Sequence, residues 1–164
     1  MNFHDRQTTP ASPAQAEQLM DLMARVVRCC QEQVAEQAAR FGVPPAQLRC
    51  LLLFRRRPRF RLGEIASGLE VTRSRATALV EGLVRRGLVR KQGDPGDGRA
   101  RQVALTAGGA RLLREVEAYL HRLHRRLLDW LPPEERARVL EGLSLLEQAM
   151  ERMKQAEDRE CFGP

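Results

Sequence analysis

Apolar residues recur along this chain in two rhythms, and the point where one gives way to the other marks its functional centre. From about residue 14 to residue 40, Leu19, Met23, Val26 and Cys30 follow one another at spacings of 4, 3 and 4. That is the stripe of an amphipathic helix. Gly42 and then Pro44 end it, since glycine supplies a left-handed cap and proline cannot continue the helix. Pro45 suits the first turn of a second helix through Leu53, which stops before Pro58. Residues 62–69 place Leu62, Ile65, Ala66 and Leu69 on one helical face, and a break over 68–71 follows. Thr72 or Ser74 can then cap a helix running to about Arg86, with Ala76, Leu79, Val80 and Leu83 facing inward. Gly87 closes it.

The period then changes. Residues 88–91 and 101–106 read as strands, the second alternating strictly, around the turn signal Gly93-Asp94-Pro95-Gly96-Asp97-Gly98. Helix, tight turn, helix and β-hairpin is the winged helix-turn-helix order. Thr106 can cap a long helix carrying Leu112, Val116, Leu120, Leu123, Leu127 and Leu131, which Pro132-Pro133 breaks. Glu134 and Glu135 favourably open a last helix with a heptad stripe of Val139, Leu143, Leu146, Met150 and Met153. Neither terminal stripe has an obvious partner in the small central unit; pairing the two ends with each other, or with those of a second chain, would bury them, and a dimer is the favoured reading. The expected fold is mainly α with a small β-hairpin wing (α+β). Its parts are a leader at 1–13, an N-terminal dimerisation helix at 14–44, a DNA-binding domain at 45–106, C-terminal dimerisation helices at 107–157 and a tail at 158–164.

Composition sharpens this reading at one point. The 164 residues carry a net charge of +7, and its distribution is uneven. Between Arg55 and Arg101 there are 13 Lys and Arg against five Asp and Glu, a surplus of 8, while the rest of the chain nets −1. One segment is built to meet a polyanion. Twelve of its 13 cations are arginine, which forks onto phosphates and guanine edges as lysine cannot. No apolar run approaches the roughly 18–20 residues of a membrane span, and the first residues lack a signal-peptide pattern, so a soluble cytoplasmic protein is expected. The four cysteines, at 29, 30, 50 and 161, include no Cys-x-x-Cys pair, and free reduced thiols fit that compartment.

The motif order from residue 62 to 109 resembles the MarR family of repressors. Leu62-Gly63-Glu64-Ile65-Ala66 and the run from Arg75 to Val89 are similar to that family's two central helices. Asp97-Gly98-Arg99 with Val103-Ala104-Leu105-Thr106 resembles its wing signature, and Gly108-Gly109 follow where its last helical region begins. Leu131-Pro132-Pro133-Glu134-Glu135 is similar to its break before the final helix. The resemblance implies an α+β homodimer, joined by its terminal helices, that represses transcription from a pseudo-palindromic operator. This chain departs at Gly82, where the family more commonly has arginine, so one contact expected of the family is absent. A glycine there also costs the helix about 1 kcal/mol relative to alanine.

A helix laid in the major groove reads bases with its N-terminal residues. Arg73, Ser74, Arg75, Thr77 and Ala78 occupy that end, the arginines for guanine or phosphate and the small residues for close approach and a thymine methyl. Arg99 matches the family's minor-groove arginine, Asp97 would hold it in place, and Arg90, Lys91 and Arg101 add phosphate contacts. The resemblance also implies a crevice for a small-molecule effector, with Tyr119 and Trp130 as candidate walls. Some relatives sense peroxide through a first-helix cysteine, which makes Cys30 a redox candidate; its place on the apolar stripe offers a buried core thiol as the plainer account. His121 and His124 sit at i, i+3 and read as a solvated pair, with no metal site or cofactor expected. No phosphate loop, His-Glu-x-x-His run or Gly-x-Ser-x-Gly elbow points to an enzyme. An RNA binder would want exposed aromatics, which are only 4% of the chain, and a helical adaptor would not explain the arginine-tipped wing.

Overall fold

The computed structural model describes residues 10–94 and 97–161, with 94, 97–101 and 157–161 described for their backbone alone. The elements run α1 (Pro13–Phe41), α2 (Pro45–Leu53), β1 (Arg59–Arg61), α3 (Leu62–Leu69), α4 (Arg73–Arg85), β2 (Val89–Asp94), β3 (Asp97–Leu105), α5 (Ala107–Asp129) and α6 (Pro133–Cys161). Contacts divide the chain into two units, one up to Arg114 and one from Glu115 onward. Among the described residues no helix is long and apolar enough to cross a membrane.

The first unit is built around short helices on a small sheet. Ser12 caps α1 by accepting from the Gln15 N–H, and the Gln15 side chain accepts from the Ser12 N–H in return, at 3.2 and 2.9 Å. This capping box starts the helix at Pro13, so the expected leader is one residue too long. Residues 1–9 of that leader and 162–164 of the expected tail lie outside the described residues. Gly42 ends α1 in the left-handed conformation (φ 62°), as its sequence position predicts. Leu48 and Leu51 of α2, Ile65 of α3, and Val80 and Leu83 of α4 are fully buried against one another's elements, each contributing about 1.5–3 kcal/mol of apolar burial. Helix α3 ends at Leu69 and the break falls at Glu70 (φ 54°), within the expected 68–71; Gly68 lies inside the helix and packs on the Leu53 side chain.

The sheet has three strands in the order β1-β3-β2, all antiparallel. Strand β1 has no counterpart in the sequence reading, since three residues are too few to show a period. It forms because Phe60 is 93% buried and stacks edge-on against Phe54, their ring centroids 5.2 Å apart. The hairpin strands also run further than expected, to Asp94 and from Asp97, which pair across an irregularity at Gly93. Pro95 and Gly96 at the tip lie outside the described residues.

Thr106 joins the sheet to α5. Its hydroxyl donates to the Gly87 carbonyl at 2.6 Å and accepts from the Gly109 N–H at 3.0 Å, while its own N–H bonds the Leu88 carbonyl at 3.1 Å. A Cβ at Gly109 would lie 2.8 Å from the Leu88 carbonyl carbon and closer still to its oxygen. Only glycine allows this approach.

The second unit comprises the rest of α5 and α6. The long helix ends at Asp129, so Leu131 falls beyond it, contrary to the predicted stripe. Glu134 and Glu135 open α6 as expected, and Leu140, Leu143, Leu145 and Met153 along it are all more than half exposed. On α1, Met20 and Val26 are likewise more than half exposed. Cys29 and Cys30 are exposed as well, and the thiol in the core is Cys50. The reading of Cys30 as a core residue is therefore corrected: its thiol is exposed on α1.

Candidate nucleic-acid interface

Helix α4 is held from below and presented from above. Thr72 caps it by accepting from the Arg75 N–H at 3.3 Å, and the Ser74 hydroxyl lies 3.1 Å from the Thr72 hydroxyl. Ala76, Leu79, Val80 and Leu83 are buried, as their spacing predicts. The opposite side leaves Arg73, Ser74, Arg75 and Ala78 exposed, with Thr77 half-buried beside them. The Thr77 hydroxyl donates back to the Arg73 carbonyl at 2.9 Å, which fixes its rotamer. The Arg73 guanidinium lies over Gly63 of α3, 3.4 Å from where a side chain there would begin. Arg75 lines a cleft of about 200 Å³ with Ala46, Arg49, Leu69, Val71 and Leu79. The structure thus brings together the five residues predicted on α4 and adds Arg49 of α2, which was read only as part of a helix.

The wing residues divide. Arg90 on β2 is exposed. Lys91 on the same strand points the other way and pairs with Glu81 of α4 at 2.6 Å. That hydrogen bond, and then the charge of Lys91, holds the Glu81 carboxyl below the usual carboxylate range. The pair ties wing to recognition helix. Asp97, Arg99 and Arg101 take their places along β3, and their side chains lie outside the described residues. The missing arginine at Gly82 also finds a local reason. The Gln47 amide of α2 occupies the space a side chain there would need, its Cδ 2.8 Å from the position of a Cβ.

An apolar groove of about 530 Å³ runs between α1 and α2, walled by Val26, Val27, Cys30, Gln31, Val34, Ala35, Pro45, Ala46 and Arg49. Tyr119 and Trp130 are not among its walls; Tyr119 is half-buried on α5 and Trp130 is 85% exposed just beyond that helix. The His124 ring nitrogen Nδ1 is engaged with the Leu120 carbonyl at 2.7 Å.

A buried scaffold that holds out one arginine-tipped helix, flanked by a three-stranded wing, defines a winged helix-turn-helix protein. Comparison with known proteins agrees. The sequence profile of the MarR family matches residues 41–100. An uncharacterised HTH-type transcriptional regulator of Bacillus subtilis, YfiV, is 31% identical over 108 residues, covering 66% of this chain and 68% of that one. Among solved structures, the YusO protein of Bacillus subtilis is 26% identical with a TM-score of 0.65, over 85% of this chain and 99% of that one. A MarR family protein from Bacillus stearothermophilus is 21% identical with a TM-score of 0.78, over 86% and 99% of the two chains. This chain belongs to the MarR family, a family of transcriptional regulators and not of enzymes.

Proposed function

We propose that the protein is a homodimeric repressor that binds a pseudo-palindromic duplex operator, with α4 in the major groove and the wing on the flanking minor groove. The observation that carries this is the division of α4 into a fully buried face and an exposed N-terminal end bearing Arg73 and Arg75. In this reading Arg73 and Arg75 contact guanine edges or phosphate, and Ser74, Thr77 and Ala78 let the backbone approach. Arg99 enters the minor groove with Asp97 holding it, and Arg90 and Arg101 bind phosphate. Lys91 contributes less, because Glu81 already neutralises it.

Residues 45–106 are the DNA-binding domain, and α1, α5 and α6 are the dimerisation arms. The exposed large apolar residues along α1 and along α6 support that assignment, since such stripes mark surfaces that associate. The groove between α1 and α2 is the better-supported effector site, ahead of Tyr119 and Trp130, because it offers an open apolar groove beside Arg49. A thiol-sensing variant of the same function gains from the exposure of Cys30 on that groove's wall.

In vitro selection from random duplexes, followed by footprinting, tests the proposal. The expected result is one enriched pseudo-palindrome with half-sites about 10 bp apart, centre to centre. Enrichment of unrelated sequences at random spacing would contradict it.

A further inference from the structure

The strand register sorts the cations of the sheet onto one face. Arg59 pairs with Ala104, which pairs in turn with Arg90; in the next row Arg61 pairs with Gln102, and Gln102 with Gln92. Directly paired residues share a face, and alternate residues along a strand take opposite faces. The intervening row, Phe60, Val103 and Lys91, is the inward one: Phe60 and Val103 are buried and Lys91 reaches Glu81 on α4. Arg59, Arg61, Arg90, Gln92 and Gln102 therefore share the outward face, and all three arginines are exposed.

This face concentrates exposed cations. Ala104 lies between Arg59 and Arg90 and brings no group to compensate either charge. Arg59, Arg61 and Gln102 line a cleft of about 180 Å³ with Arg57, Phe60 and Glu64. The carboxylate lining it, Glu64, accepts from the Arg61 backbone N–H at 2.5 Å and from the Arg57 guanidinium at 2.8 Å, and the charges of Arg57 and Arg61 both act on it. Arg57 in turn sits 4.2 Å over the Phe60 ring.

We propose that the outer face of the sheet is a second phosphate-binding surface, taking the backbone of duplex DNA that flanks the half-site read by α4. Rows of guanidinium and amide groups are the side chains that bond phosphate oxygens without reading sequence. Among its described residues the face has no exposed aromatic for stacking a single strand and no exposed large apolar side chain for a protein interface. Arg59 and Arg61 thereby join the interface although neither is on the recognition helix or the hairpin. The proposal rests on the protein being a duplex-DNA binder.

The test is a salt titration of binding by fluorescence anisotropy, using the selected operator with 15 bp of flank on each side, the same operator trimmed of its flanks, and a scrambled duplex. Wild type is compared with Arg59→Gln/Arg61→Gln, and with Arg59→Lys/Arg61→Lys, which keeps the charge. Each lost phosphate contact lowers the slope of log K against log salt by about 0.9. The glutamine variant should lower it by about 2 per protomer on the flanked duplex, with the preference for operator over scrambled sequence unchanged. The lysine variant should keep the wild-type slope, and trimming the flanks should remove the difference between wild type and the glutamine variant. A slope unaltered by the glutamine variant would overturn the proposal and leave the face to an acidic protein partner. A drop that persists on the trimmed duplex would also overturn it, placing these arginines within the half-site. A wild type that does not distinguish operator from scrambled duplex would instead fail the function reading itself.

Discussion

Arg86, the residue that caps α4, donates from Nη1 to the carbonyl of Gly42, the left-handed cap of α1, at 2.7 Å. A cation is thereby placed at the negative end of the α1 dipole. The two helices meet at their C-termini, so the end of α4 is tied to the end of α1. Replacing Arg86 with Met should lower stability by about 1 kcal/mol. Urea denaturation should show this as a lower midpoint with an unchanged m-value.

Two glycines should respond oppositely to the same change. Gly109→Ala drives a Cβ into the Leu88 carbonyl, a backbone group that cannot move without disturbing the Thr106 clasp. A loss of about 3 kcal/mol is expected, at the upper end for overpacking. Gly82→Ala meets only the Gln47 amide, the end of a flexible side chain whose Oε1 has no partner to lose. Its cost should be offset by the roughly 1 kcal/mol that alanine gains over glycine in a helix. Thermal unfolding of the two variants checks the contrast; equal shifts would contradict it.

The cysteines should separate by reactivity. Burial pushes the Cys50 thiol up to about 11, so it stays protonated and shielded at pH 8. Alkylation of the native protein followed by peptide mass mapping should spare Cys50 until the chain is unfolded. Modification of Cys50 at the rate of a free thiol in native protein would contradict the packing of α2.

The Glu81–Lys91 pair has a pH signature. The folded-state pKa of Glu81 is lowered, so the pair's stabilising effect is present above the unfolded carboxylate pKa and is lost as pH falls through the folded value. The Glu81→Gln variant should therefore approach wild-type stability at acid pH and fall below it at neutral pH. Chemical denaturation at pH 3 and pH 7 measures the difference. A gap of equal size at both values would assign the effect to something other than this ion pair.

Much of this architecture was legible because the apolar period is strong where helices pack. Ala76, Leu79, Val80 and Leu83 were readable as one face, and that reading left Arg73 to Ala78 on the other. The caps at Thr72 and Gly42 were legible for the same local reason: side-chain chemistry and glycine freedom act within a few residues. What the sequence hid depends on distant residues. β1 exists only because β3 accepts it, and Lys91 is drawn into an ion pair only because Glu81 lies ten positions earlier on another element. Cys30 was misread because an apolar stripe shows that a face needs covering, not whether the same chain covers it.

The central claim is that the exposed end of α4 reads duplex sequence. Competition anisotropy at fixed salt, operator against scrambled duplex, tests it with wild type and Arg73→Ala/Arg75→Ala. The account predicts a wild-type preference of about 1,000-fold or more, and a double variant that stays folded but loses at least about 30-fold of it. A variant that keeps the full preference, or a wild type that has none, would contradict it.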